Sequence, residues 1–229
     1  MNNRAGISRR KNKILGENIQ KFERIQSNNI YYIVSYGGCG SVMLTRYLRI
    51  YGEVQHIHSR FPPDELEYVG NDNSLIENIN GEHFNGIKLN ESDLSNTKVI
   101  YIYKDPVKAI YSRFRDPNHL KNIEAKDINT TLDDILTSKE DLYGIEQFFD
   151  NWTAPNPNRN YKIICVKYSD IFEKQGELMK TLGITPYEEH VLTMKETKRE
   201  YPENELNILY EIYQPLIEKM KTKDFIEIV

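Results

Sequence analysis

Apolar residues along the chain recur at two spacings. Ile30–Val34 is an unbroken β-rich run, and Val54–His58, Phe84–Leu89, Val99–Tyr103 and Tyr161–Val166 are short runs of the same kind. Such runs predict buried strands. Between and after them, apolar positions at three- and four-residue intervals predict helices over 106–115, 139–151, 170–182 and 203–221. Ile14, Leu15, Ile19, Phe22 and Ile25 share that spacing and predict a short leading helix. Asp105-Pro106 is a helix start, with aspartate as N-cap and proline in the first turn. Residues 153–160, with two prolines and three asparagines, read as a loop. Strands alternating with helices predict an α/β fold, a three-layer sandwich with a mostly parallel central sheet. With no internal repeat and no break in composition, residues 30–229 read as a single domain preceded by a basic arm and leading helix over 1–29.

The first strand runs directly into Gly37-Gly38-Cys39-Gly40-Ser41, and a helical pattern follows through Val42, Leu44, Tyr47 and Leu48. This is a P-loop-like strand–glycine loop–helix. Small residues leave backbone N–H groups bare, and the helix adds its own unpaired N–H groups and the positive end of its dipole. Together they suit a phosphate, with the Ser41 hydroxyl as a further donor. The alternative is a tight turn whose glycines only permit close packing. Several specific motifs fail. A Walker A loop needs Gly-Lys-Ser/Thr, and Ser41 follows Gly40 with no lysine in the loop. The dinucleotide fingerprint fits Gly38 and Gly40 but meets Met43 at its third glycine. Cys39 and Arg46 bracket six residues where a cysteine phosphatase needs five. Cys39 does sit where a helix N-terminus can lower a thiol pKa.

Composition narrows the field. The formal net charge is −4, which argues against a general nucleic-acid binder while leaving room for a local basic cleft. The chain has two cysteines, Cys39 and Cys165, too few for a disulfide framework or a cysteine-rich zinc site. They favour a reducing location, cytoplasmic or otherwise intracellular. No apolar run approaches the ~18 residues of a membrane span, and the basic N-terminus lacks the apolar stretch of a signal peptide. No membrane partner is therefore expected.

A second segment points further. Val99–Tyr103 ends in Lys104-Asp105-Pro106 and turns at once into a helix carrying Lys108, Ser112 and Arg115 on one face. Taken together, the two segments resemble the sulfotransferase family, whose donor is 3′-phosphoadenosine 5′-phosphosulfate (PAPS). The resemblance covers roughly residues 30–220. It implies that Tyr36–Val42, including Gly37, Gly38, Cys39, Gly40, Ser41 and Val42, meets the 5′-phosphosulfate. It also implies that Lys104, standing for the family's arginine, and Ser112 bind the 3′-phosphate. Lys167-Tyr168-Ser169-Asp170 resembles a further family segment and makes Tyr168 the nucleoside contact, with Trp152 second. Arg199, near Lys195 and Lys198, matches the family's basic loop over the 3′-phosphate only weakly. The implied activity moves a sulfuryl group from PAPS to an unidentified hydroxyl acceptor, without a metal. Two departures stand out. Gly38 occupies the place of a loop cation, for which Lys88 and Arg60 are the candidate substitutes. Lys88-Leu89-Asn90 stands where many members have Lys-Thr-His.

The base must then come from elsewhere. Sulfuryl transfer to an alcohol needs a group that accepts the hydroxyl proton near neutral pH. His56 and His58 alternate at the end of the second strand and share a face. His58, nearer the crevice, is the expected base; His56 and His83 are weaker candidates. Two other readings remain open. One is a non-catalytic nucleotide- or partner-binding protein of the same fold. The other is a kinase-like phosphotransferase, for which Asp105 is the only candidate magnesium ligand.

Overall fold

In the computed structural model of the chain, residues 29–68, 87–89, 91–114, 120, 123–188, 190–193 and 201–229 are described. The predicted leading helix lies outside them, as do His83, Asn90, Arg115, Lys195, Lys198 and Arg199. The central sheet is built from β1 (Ile30–Val34), β2 (Glu53–Ile57), β5 (Thr97–Tyr103), β6 (Ile163–Lys167) and β7 (Ile226–Ile228). Its order is β2-β1-β5-β6-β7. The first four strands run parallel, and β7 pairs antiparallel with β6.

Side-chain alternation explains the layers. Tyr31, Ile33, Ile100, Ile102, Ile164 and Val166 point to one face, against α1 (Ser41–Leu48) and α6 (Gln175–Leu182). Tyr32, Val34, Val99, Tyr101, Ile163 and Cys165 point to the other, against α3 (Pro106–Arg113), α5 (Ile145–Thr153) and α7 (Glu203–Lys221). Both faces of the sheet are covered, so its strands read as continuous apolar runs. The expected α/β architecture with a mostly parallel sheet is present. No described helix is long and apolar enough to cross a membrane.

Four expectations need correcting. Of the predicted strand 84–89, the described part, β4 (Ile87–Lys88), pairs antiparallel with β3 (Glu67–Tyr68) in a separate two-stranded sheet. Of the predicted helix 139–151, residues 139–144 are not helical: left-handed residues at Lys139 and Gly144 separate α5 from an earlier, unpredicted helix, α4 (Leu132–Ser138). A capping box between Thr131 and Asp134 starts α4 before the apolar spacing becomes visible. Segment 170–182 opens as a 3₁₀ turn over Tyr168–Asp170 before α6 begins. Strand β7 was not expected; three residues are too few for a legible alternation. A short helix α2 (Glu91–Ser95) leads into β5.

The order of the sheet matters for the site. From β1 the chain leaves through α1 to β2 on one side, while β5 lies on the other. The C-terminal end of β1 is thus a topological switch point, where open α/β sheets hold their ligands. Gly37–Ser41 begins three residues beyond it, after Ser35 and Tyr36.

Candidate functional site

Each loop glycine has a local reason. Gly37, Gly38 and Gly40 have φ of 93°, 69° and 84°, a region that side chains disfavour. A Cβ on Gly38 would lie 2.6 Å from the Ala109 carbonyl oxygen of α3, and one on Gly40 would overlap the Tyr168 ring. A Cβ on Gly37 would lie 2.9 Å from Arg113 Cγ. The loop is therefore gripped between α3 and the turn after β6. Inside it, the Gly37 N–H donates to Ser35 Oγ (3.2 Å), and Ser35 Oγ donates to Ser41 Oγ (3.0 Å). Gly40 caps α1 with no side-chain hydrogen bond, which leaves the helix N-terminus to its backbone.

Around the loop opens a cleft of about 1030 Å³. Gly37, Gly38, Gly40, Ser41 and Val42 form one wall. Lys104, Lys108, Ser112 and Arg113 contribute from β5 and α3, Lys167 and Tyr168 from the end of β6, and Ile217, Met220 and Lys221 from α7. Among the described residues, five cations line it, Lys104, Lys108, Arg113, Lys167 and Lys221, against one carboxylate, Asp105. Asp105 is also the N-cap of α3, accepting from the Lys108 N–H at 3.0 Å. A chain of net negative charge has thus gathered positive charge at the switch point. Lys104 Nζ stands 5.0 Å from the centre of the Tyr168 ring, whose edge in turn abuts Gly40. Among the described residues, no group of three or more His, Cys, Asp or Glu could hold a metal ion.

His58 also lines the cleft, just past β2, and is 5% exposed. Its Nδ1 lies 2.6 Å from the Ser35 carbonyl oxygen. A carbonyl only accepts, so Nδ1 carries a proton, and in the neutral ring Nε2 carries the lone pair. This is the tautomer a base on the cleft side needs. The His56 ring meets it edge-on at 4.5 Å. His56 Nε2 is buried without a hydrogen-bond partner among the described residues. Burial first, then the neighbouring His58, Arg113 and Arg49, hold His56 well below the ordinary histidine range.

Other sequence-predicted residues fall elsewhere. Arg60 is buried and turned away from the loop; its guanidinium donates to the carbonyls of Gly144, Tyr143 (2.9 Å) and Glu124 (3.3 Å) and anchors the start of α5. It is not the substitute for the loop cation. Lys88 sits on β4, off the central sheet, opposite Glu67. Trp152 is fully buried, donating to the Ser59 carbonyl oxygen at 3.0 Å, so it is a core residue and not a nucleoside contact. Cys39 is also fully buried, with Sγ 3.1 Å from the Gly37 carbonyl oxygen. Burial pushes its thiol up to about 12, opposite to the helix-end effect, so Cys39 brings only its backbone to the loop. Arg199 lies outside the described residues. Sequence reasoning missed Arg113, because helix-face spacing from Ser112 selected Arg115. It also missed Met220 and Lys221, which reach the cleft from the far end of α7.

Compared with protein-family models, with curated proteins and with solved structures, the chain matches none. The likeness of Tyr36–Val42, Lys104–Ser112 and Lys167–Asp170 to sulfotransferase motifs therefore stands on the motifs alone.

Proposed function

We propose that the protein transfers a sulfuryl group from PAPS to a hydroxyl acceptor. The observation that supports this best is the convergence on one cleft of the glycine loop, Lys104, Ser112, Tyr168 and His58. In this reading the 5′-phosphosulfate lies on the N–H groups of Gly38–Val42, the Gly37 N–H being held by Ser35 Oγ. The 3′-phosphate pairs with Lys104 and Ser112, and adenine packs near Tyr168. His58 Nε2 takes the acceptor's proton as its oxygen attacks sulfur. The new S–O bond forms in line with the one that breaks, and the electron pair of the broken bond leaves on the 5′-phosphate. No covalent enzyme intermediate and no metal take part.

One observation favours a non-catalytic nucleotide-binding protein instead. Every glycine of the loop has a packing reason independent of any anion, most plainly Gly38 against Ala109. Calorimetric titration with 3′-phosphoadenosine 5′-phosphate, followed by turnover of labelled PAPS over a panel of sugars, small alcohols and tyrosine peptides, separates the readings. Sulfated product supports the enzyme. Nucleotide binding without turnover supports the binding protein. A 3′-phosphate held by Lys104 and Ser112 makes the bisphosphate bind at least about tenfold better than adenosine 5′-phosphate, only about 1.4 kcal/mol. Equal affinities would reject the anchor.

A further inference from the structure

The loop's cation is missing from the sequence, and the fold shows why it cannot be restored in place. Gly38 has φ of 69° and no room beside the Ala109 carbonyl, so no side chain fits there. A cation for the loop must come from outside it. Helix α3 lies against the loop through Ala109, and Arg113 is four residues further along, on the same helix face. Lys108 and Ser112 share the neighbouring face and open to the cleft. The Arg113 stem crosses the first loop glycine: a Cβ on Gly37 would meet Cγ at 2.9 Å, Nε at 3.4 Å and Cδ at 3.6 Å. Arg113 also lines the same cleft as His58. Its charge also acts on His56, whose ring packs against His58, and helps to keep His56 neutral.

Building on the sulfuryl-transfer reading, we infer that Arg113 is the residue that contacts the donor's 5′-phosphosulfate, supplied by α3 in place of a loop lysine. Lys104 is committed to the other side of the loop, over Tyr168. Arg60 is committed to three carbonyls at α5. Arg113 keeps its charge at any working pH and presents a planar fork that matches two oxygens of a phosphate or sulfate. As the sulfur leaves, negative charge grows on the oxygen that bridged sulfur and phosphorus. A fixed guanidinium beside that oxygen acts most strongly in the transition state. The glycine at position 37 then has a second purpose, since any side chain there would push the arginine stem off the loop.

The test separates the two ends of the nucleotide. Wild type and Arg113→Met are titrated with 3′-phosphoadenosine 5′-phosphate, adenosine 3′-phosphate and adenosine 5′-phosphate. Wild type should prefer the bisphosphate over adenosine 3′-phosphate by about ten- to hundredfold, the span of a charge-assisted contact. Arg113→Met should lose most of that preference while keeping the preference over adenosine 5′-phosphate. With labelled PAPS, its kcat should fall by a larger factor than its KM rises, a split that a packing role would not produce. If circular dichroism shows that Arg113→Met does not fold, Arg113→Lys keeps the stem on Gly37 but loses the fork, and should lose about threefold of the same preference. A folded variant with the wild-type preference overturns the inference and leaves the sulfuryl-transfer reading standing. A wild-type protein that binds none of the three nucleotides removes both.

Discussion

Two adjacent histidines divide the work of one strand end. His58 faces the cleft with its proton fixed on Nδ1 by the Ser35 carbonyl. His58→Ala is expected to cut turnover by roughly 10²–10⁴-fold, the usual span for a positioned acid–base group, with nucleotide affinity barely changed. Steady-state kinetics beside calorimetry would show it, and a fully active His58→Ala enzyme would refute the assignment. His56 is held neutral by burial and by its cationic neighbours. Its folded pKa is depressed below the ordinary 6.5, so the unfolded chain takes up a proton first as pH falls. The stability this group contributes is complete above 6.5 and is lost as pH drops toward the folded value. Urea midpoints at pH 7.5 and 5.5 should differ less for His56→Gln than for wild type. His190, also lowered by burial, pulls in the same direction and remains in both proteins.

At the level of elements, the loop and α3 are one mechanical unit. Gly38→Lys, which would place in the loop the cation that the sulfotransferase motif carries, should destabilise the fold by about 1–3 kcal/mol and gain no activity, because left-handed backbone and the Ala109 carbonyl both oppose it. Denaturant titration and turnover of the variant would check both halves. The same unit shows what could be read in advance. Strands β1, β2, β5 and β6 were visible as apolar runs because both faces of the sheet are covered. The Asp105-Pro106 start of α3 and the full length of α7 were visible through capping and periodicity. Arg113 was not, because its importance depends on which face of α3 meets the loop, a contact between segments more than seventy residues apart. Arg60 and Trp152 were misread for a related reason. Charge and aromaticity suggest a ligand, and only packing reveals that Arg60 serves three carbonyls and Trp152 the core. Strand β7 escaped because its partner, β6, supplies the pairing that its own three residues cannot announce.

Across the whole molecule, the sheet ties two apolar layers into one body, and the strand end at Lys167 depends on β7. Lys167 N–H donates to the Phe225 carbonyl oxygen at 3.0 Å, and Phe225 is 4% exposed within the α1–α6 layer. Phe225→Ala should cost about 3–5 kcal/mol and weaken nucleotide binding as well, since Lys167 and Tyr168 stand at that strand end; thermal melts and calorimetry on one sample would show whether the two losses travel together. The sheet also furnishes a built-in optical probe. The chain's single tryptophan, Trp152, is fully buried in the other layer, its ring stacked 6.0 Å from Tyr101 and its indole N–H bound to the carbonyl of Ser59, the residue after His58. Its native fluorescence should be blue-shifted and fed by energy transfer from the surrounding tyrosines, and unfolding should move it to the red in a single step. Because no cleft-lining residue is needed to generate that signal, one unmodified protein can report its own folding while its ligand site is being changed.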